Sequence, residues 1–556
     1  MKRYLYTIVA FMAALSVCAV PALRQRRSIR LTDGSSIEAT FCGNEYQHYY
    51  LDAQGNAYQQ GADGLFQLAD KQMIMEHAAQ RILQRNTRRM ARAKQRMAVP
   101  GAVPQQDFTG QKNCLVVLAG FSDCPMTYSA EDYNRYFNEI GYNEYGMKGS
   151  VRDYFLACSY GQLDIHFDIV GPIKLKKSVT YYGSNDSRGD DRHPGQMVSE
   201  AIIAAKELGT DFSKYDWDND GEVDQVYVIY AGYGEAQSGI ETNIWPHENS
   251  LSATGDYGDG PGALTYDGVT IDTYATSCEL GGKRGEEIDG IGTACHEFSH
   301  CMGLPDTYDA LQTGNFAMDV WDIMDYGCYN GVGGKMGSCP WEFTSYERIA
   351  CGWLTPIELK EGCEVKDMKP LNEAPEAYII YNEGNRNEYY LLENRQLKGF
   401  DAGGYGHGML VLRVDYDEKA WSMNMVNTDK ARQRMTIIPA DNVYNSLAGG
   451  IANVAGDPFP GTKKKTQLTD NSFPKATLNT PNSDGIKLMH KPITQIKETL
   501  SDGYISFLFM GGGPIVDTFQ APTEQAFSLP IHDLQGRPAM NALHGPIIKN
   551  GKMYMR

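Results

Sequence analysis

The stretch Ala294-Cys-His-Glu-Phe-Ser-His-Cys-Met-Gly-Leu-Pro-Asp306 constrains this chain more than any other. It contains H-E-x-x-H, with His296 and His300 four residues apart. On an α-helix that spacing stacks two imidazoles on one face, one turn apart, where both can hold one metal ion. Glu297 stands beside the first of them, able to reach a metal-held water without being a ligand. Gly303 falls where the helix should stop in a left-handed turn. The redirected chain then returns Asp306 as a third ligand, with Asp309 as the alternative if the loop is longer. Two His and one carboxylate leave one position of Zn²⁺ open, which is a catalytic rather than a structural arrangement. H-E-x-x-H alone arises by chance in roughly one or two of every hundred chains of this length, and the added Gly and Asp lower that to the order of one in ten thousand. A core helix with partnered histidines is the weaker reading.

The run from His296 to Asp309, H-E-F-S-H-C-M-G-L-P-D-T-Y-D, resembles the signature H-E-x-x-H-x-x-G-x-P-D-x-Y-D of secreted bacterial zinc metalloproteases related to immune inhibitor A. That family is metzincin-like, with Asp in place of the usual third His. The resemblance implies that Trp321-Asp322-Ile323-Met324 is the Met-turn beneath the metal. It extends to Ile244-Trp-Pro-His247 and to Asp216-x-Asp-Asn-Asp-Gly-x-Val-Asp224. It is strong over about 107–355 and weaker to about 510. In some metzincin families a Tyr two residues beyond the Met of that turn ligates zinc at rest and later hydrogen-bonds the oxyanion. Tyr326 has that offset; the alternative is an aromatic that packs beside Trp321.

At 556 residues the chain is long enough for several domains, each with its own core. A net charge of −18 argues against nucleic acid or an anionic membrane as the main partner. Met1 to Ala22 reads as a signal peptide, with Lys2 and Arg3, an apolar run and Val20-Pro-Ala22 as the cut site. Export is therefore expected. Leu15-Ser-Val-Cys18 offers a lipoprotein alternative that would attach the product to the cell surface. No later apolar run is long enough to span a bilayer. Of twelve cysteines, eleven lie beyond Cys18, without the regular spacing of a disulfide scaffold. Pairing among Cys114, Cys124 and Cys158 stays open. Cys295 and Cys301 flank the histidines but fall off their face, which points to buried packing.

Residues 23–106 read as a small α+β prosegment, with strand-like alternation at Ser36 to Thr40, Gln47 to Leu51 and Ala57 to Gln59. From Arg81 to Arg96 the chain is basic, either an amphipathic helix or an exposed linker cut by a trypsin-like protease, the latter favoured by Pro100-Gly101 and Pro104. Cys42 is the only prosegment thiol and a candidate cap on the zinc, against a core role. Residues 107–356 are expected to form an α/β metalloprotease domain. Its strands are placed at Asn113 to Phe121, Val226 to Ala231 and Val269 to Thr276. Helices are placed at Ala130 to Glu139, Val151 to Cys158, Pro194 to Leu208 and Pro340 to Cys351. By the family resemblance the third strand would be the sheet edge that pairs with extended substrate.

Asp216, Asp218, Asp220, Glu222 and Asp224 place oxygen side chains at alternate positions around a Gly, as a hard Ca²⁺ ion needs. Tyr227 stands where an EF-hand has its bidentate Glu, so a calcium loop of another type is expected, against a hydrogen-bonded turn. Residues 357–512 read as a β-sandwich, in which His407, between two glycines, is structural rather than a ligand. Gly511-Gly-Gly-Pro514 opens a linker. The rest of 513–556 resembles the C-terminal sorting segments of type IX secretion cargo, or is a plain β-hairpin. The expected function is a secreted zinc endopeptidase acting on proteins or peptides, made as a zymogen, with Glu297 as general base. The rival is a surface adhesion protein whose zinc and calcium loops are structural.

Overall fold

The computed structural model describes residues 20–61, 63–86, 107–186, 189–256, 258–444, 451–516, 546–549 and 552–555. Near the N-terminus an antiparallel sheet runs in chain order: β1 (Arg26–Arg30), β2 (Ser36–Asn44), β3 (Gln47–Leu51), β4 (Ala57–Gln60) and β5 (Phe66–Ala69). Helix α1 (Lys71–Asn86) follows. This unit leans on the chain just past the metal motif. Tyr46, Ala78 and Ile82 share a core with Tyr308, Ala310 and Leu311, and Asn44 Nδ2 and Gln47 Nε2 both donate to the Ala310 carbonyl, at 2.8 and 3.2 Å. Cys42 belongs to a separate small core with Tyr49, Ala57 and Ile74. The basic stretch beyond Asn86, with its expected cleavage, lies outside the described residues.

The central sheet contains β6 (Gly110–Gly120), β7 (Leu163–Lys174), β8 (Val226–Tyr233), β9 (His247–Ser250) and β10 (Thr273–Leu280), in the order β7-β6-β8-β10-β9. All neighbours are parallel except β9, which pairs antiparallel with β10. Cys114 to Gly120 are all buried, as a strand covered on both faces requires. Helices at Ala130–Asn138, Val151–Cys158 and Pro194–Glu207 fall where periodicity places them, the first two closed by Ser capping boxes.

The third expected strand is divided. Val269–Ile271 forms a hairpin with Leu264–Tyr266, and Thr273–Leu280 enters the sheet as an internal strand. The edge beside it is His247–Ser250, four polar or small residues (HENS) that carry no apolar alternation to reveal them. The expected closing helix at 340–351 shortens to Ser345–Ala350, capped by Thr344 and Glu347. The metal-motif helix, α2 (Ile291–Cys301, numbered here after α1), is buried along its whole length. Phe298 on its far face packs against Phe155 and Phe167. Cys295 and Cys301 lie in the same core.

Beyond residue 356 two sheets face each other. One orders Ile357–Glu358, Tyr378–Tyr381, Glu388–Arg395, Gly408–Asp415 and Met435–Ile437; the other orders Ile493–Thr499, Tyr504–Phe509, Cys363–Met368 and Ile515–Val516. Ile380, Leu392 and Val411 meet Val365, Ile505 and Phe507 between the sheets. Their neighbours Ile379, Leu391 and Leu412 point the other way and pack on Trp321, Trp341 and Tyr346. The first sheet is therefore buried on both faces, which is why Glu388–Arg395 shows no exposed side chain. His407 pairs with Glu498 at 2.6 Å, away from the histidine motif. Pro546–Lys549 and Lys552–Met555 pair as a hairpin, and the rest of the expected sorting segment lies outside the described residues. No helix among the described residues is long and apolar enough to cross a membrane. None of the eleven described cysteines stands in a disulfide.

A buried ion network ties this segment to the α/β part. Arg395 donates to Asp401 at 2.6 Å and to the carbonyls of Glu342 and Phe343 at 3.0 and 3.1 Å. Arg348 donates to Glu342 Oε2 at 2.7 Å. Removing one partner of such a network strands a buried charge, at a cost of about 3–5 kcal/mol. Arg395→Met should therefore lower stability by that order in denaturant unfolding; a loss below about 1 kcal/mol would show that the network does not hold the two parts together.

Candidate active site

His296 and His300 project from one face of α2. Each ring is fixed by a backbone carbonyl on Nδ1: Ile323 for His296 at 2.7 Å and Leu304 for His300 at 2.8 Å. With Nδ1–H donating to a carbonyl, Nε2 of each ring is the nitrogen that can take a metal. The two Nε2 atoms lie 3.1 Å apart. The helix ends at Cys301, Gly303 takes φ +85°, and the chain doubles back as its sequence predicts. Asp306 Oδ1 then sits 3.2 Å from His296 Nε2 and 3.3 Å from His300 Nε2. Bonds of 2.0–2.1 Å to a tetrahedral zinc would separate ligand atoms by about 3.3 Å. The three donors thus fit the ion, and Asp306 Oδ1 has no hydrogen-bond donor among the described residues. Burial opposes charge on Asp306, yet the two imidazoles hold its carboxyl below the usual range.

Glu297 also brings an oxygen near the two rings. Its Oε1, however, accepts the N–H of Val20 at 2.9 Å, and its Oε2 has no hydrogen-bond partner among the described residues. Burial pushes this carboxyl well above its ordinary value. Asp309 turns away. Its Oδ2 accepts from Thr313, Gly314 and Asn315 within the following loop, at 2.8 to 3.1 Å.

The chain's own residues 20–23 cover this centre. Trp245 Nε1 donates to the Val20 carbonyl at 3.1 Å, the Tyr329 hydroxyl to that of Pro21 at 2.8 Å, and the Tyr326 hydroxyl to that of Ala22 at 3.4 Å. The Ala22 and Leu23 amides pair with the carbonyls of Gly43 and Ala236, at 2.8 and 2.9 Å. Val20 and Ala22 are fully buried. Cys42, in its own core, donates to the Thr40 carbonyl at 3.5 Å and is not among the metal donors. Tyr326 reaches the covering segment and carries the Arg24 guanidinium 4.9 Å over its ring. Tyr329, one turn of 3₁₀ helix further on, escaped the sequence reading although it shares the face of Tyr326.

In the acidic loop, Asp216, Asp218 and Asp224 bring carboxylate oxygens together. Asp220 is outside that group and accepts the Glu222 amide at 2.8 Å, and Glu222 is not drawn in. The loop is pinned to the start of β6 by Trp217 Nε1, which donates to the Asn113 carbonyl at 2.7 Å.

Residues 122–354 match the family model described as the immune inhibitor A peptidase M6 catalytic domain. Over these residues the chain resembles the immune inhibitor A metallopeptidases. Immune inhibitor A of Bacillus thuringiensis subsp. alesti is 26% identical over 295 residues, 44% of this chain and 41% of that protein. Pre-pro-metalloprotease PrtV of Vibrio cholerae is 25% identical over 284 residues, 43% of this chain and 30% of that one. The chain thus spans less than half the length of these curated relatives. Within the matched stretch, the Tyr329 hydroxyl offers a direct handle on the covering segment. A single net hydrogen bond contributes about 0.5–1.5 kcal/mol. Tyr329→Phe should therefore speed amide hydrogen exchange at residues 20–23 by about 2- to 10-fold; unchanged exchange would show that the segment is held without it.

Proposed function

We propose that the chain is a secreted zinc-dependent endopeptidase made as a zymogen, held latent by residues 20–23. One observation carries the reading: two imidazole nitrogens and one carboxylate oxygen converge at tetrahedral spacing beside Glu297. His296, His300 and Asp306 would hold the ion. When bound, zinc supplies Lewis acidity to the site. Glu297 handles the protons. Oε2 accepts one from the water that attacks the peptide carbonyl. That same proton then passes from Glu297, whose Oε1 now takes the Val20 N–H, to the leaving amine. Trp245, Tyr329 and Tyr326, which hold three consecutive carbonyls of Val20–Ala22, would hold the main chain of a protein substrate in the same way. Tyr326 then serves peptide binding rather than the oxyanion.

On this reading 107–356 is the metzincin-like catalytic domain, 357–512 a β-sandwich and 23–106 the body of the prosegment. The Ile323 carbonyl on His296 supports a Met-turn role for 321–324. Val17-Cys18-Ala19 also ends on a small residue. A leader cut after Ala19 would keep Val20–Ala22 over the site, whereas a cut after Ala22 would remove them. Release of the segment then uncovers Glu297. In the acidic loop Asp216, Asp218 and Asp224 would hold Ca²⁺ as a brace for the core strand that follows.

Glu297→Ala should keep stoichiometric zinc and lose nearly all casein hydrolysis after activation, while His300→Ala should lose the zinc. Activity within a few fold of wild type in Glu297→Ala would end the general-base assignment. Tyr326→Phe should stay within about twofold; a loss of a hundredfold or more would restore its oxyanion role.

Ligand that binds only the native state raises the melting temperature by mass action. Added calcium should therefore raise it in wild type and not in Asp218→Ala. Equal shifts in both proteins would remove the loop as a site.

A further inference from the structure

Asp306 shows the histidines only one of its oxygens. The other, Oδ2, accepts a hydrogen bond from Asn424 Nδ2 at 2.6 Å, and the Asp306 amide donates to Asn424 Oδ1 at 2.6 Å. One carboxamide therefore grips the backbone and the side chain of the same aspartate. The partners fix which end is which, because an N–H needs the amide oxygen and a carboxylate needs the NH₂. Both residues are about 1% exposed, so neither bond has water in competition.

Asn424 lies beyond the matched stretch 122–354, in the turn after the short helix Glu418–Ser422. Its φ of +51° is one that Asn tolerates better than most residues. Its amide donates to the Trp421 carbonyl at 3.0 Å, and Trp421 packs on Tyr346 and Tyr416. Three residues on, Asn427 Nδ2 donates to the Thr307 carbonyl at 2.6 Å, and its Oδ1 accepts from the Arg434 and Met435 amides at 2.9 and 3.0 Å. From the opposite side the Met324 carbonyl accepts the Thr307 amide at 2.9 Å, and Asp322 accepts its hydroxyl at 2.7 Å. Asp306-Thr307 is thus clamped between the 322–324 turn, which also fixes His296, and the 424–427 turn of the β-rich segment.

We propose that Asn424 is a positioning residue that aims Asp306 Oδ1 at the metal, so that the downstream β-rich segment completes the metal site of the peptidase domain. The inference rests on His296, His300 and Asp306 being the ligands. A carboxylate on a loop has a rotatable χ1 and χ2 and two equivalent oxygens. Tying up Oδ2 and the amide leaves it one orientation. Partners of this kind typically change metal affinity by 10- to 100-fold.

Asn424→Gly deletes the carboxamide without straining a positive φ, and Asn424→Asp keeps the shape and the acceptor but loses the donor. Zinc affinity of the full-length chain is measured by competition with a chromogenic chelator, alongside the melting temperature of the metal-free protein. Both variants should bind zinc about 10- to 100-fold more weakly. Val365→Ala, which opens the core between the two sheets of the same segment, should lower the melting temperature and leave zinc affinity unchanged. Wild-type affinity in the two Asn424 variants would overturn the proposal, as would an equal loss in Val365→Ala. If one Asn424 variant fails to fold, the other decides. His300→Ala in the same assay separates the two levels. Loss of zinc there with intact binding in the Asn424 variants refutes only the positioning role; retained zinc there refutes the ligand set itself and this inference with it.

Discussion

The structure depends on holding three mutually repelling donors within 3.3 Å of one another in a site that water does not reach. Two lone pairs and a carboxylate oxygen do not gather this closely unless each is held from behind. The holding comes from three places. The Leu304 carbonyl, on the loop after α2, fixes His300. The Ile323 carbonyl, at the turn under the site, fixes His296. Asn424, from the sheet-rich segment, fixes Asp306. The core beneath α2, the double-sided burial of Glu388–Arg395 and the Arg395 network keep those three supports in register.

The cover over the site follows from the same geometry. On the proposed reading Glu297 and its metal form the hydrolytic centre, and residues 20–23 lie over it. Three side-chain donors hold successive carbonyls, while the neighbouring amides pair with Gly43 and Ala236. The segment is anchored by the sheet of residues 26–69, whose Asn44 and Gln47 fasten to Ala310, only four residues past Asp306. The covering unit therefore grips the very loop that carries the third donor.

How much of this was legible depends on the distance over which each signal acts. His296, Glu297, His300 and the turn at Gly303 are local, set by helical spacing and one glycine, which is why the sequence alone singles them out. Val226–Tyr233 stands out because a continuous apolar run marks burial on both faces, and Glu388–Arg395 stands out only through its Tyr389–Leu392 centre. His247–Ser250 does not, since its short polar run owes its strand state to pairing with β10 rather than to its own pattern. Leu163–Lys174, a half-exposed edge strand, was missed for a related reason. Asn424 is illegible in principle: it lies 118 residues from Asp306, with nothing local to mark it. The Val20 contact with Glu297 spans 277 residues and falls inside what reads as a leader.

The convergence of two imidazoles and one carboxylate on a single ion is tested most directly by zinc K-edge absorption spectroscopy on the isolated full-length protein. The expected spectrum has two imidazole nitrogens and light oxygen scatterers at about 2.0–2.1 Å, with one zinc per chain and no sulfur shell. A shell at about 2.3 Å, which Cys295 or Cys301 thiolate would produce, or the absence of imidazole scattering, would contradict the site.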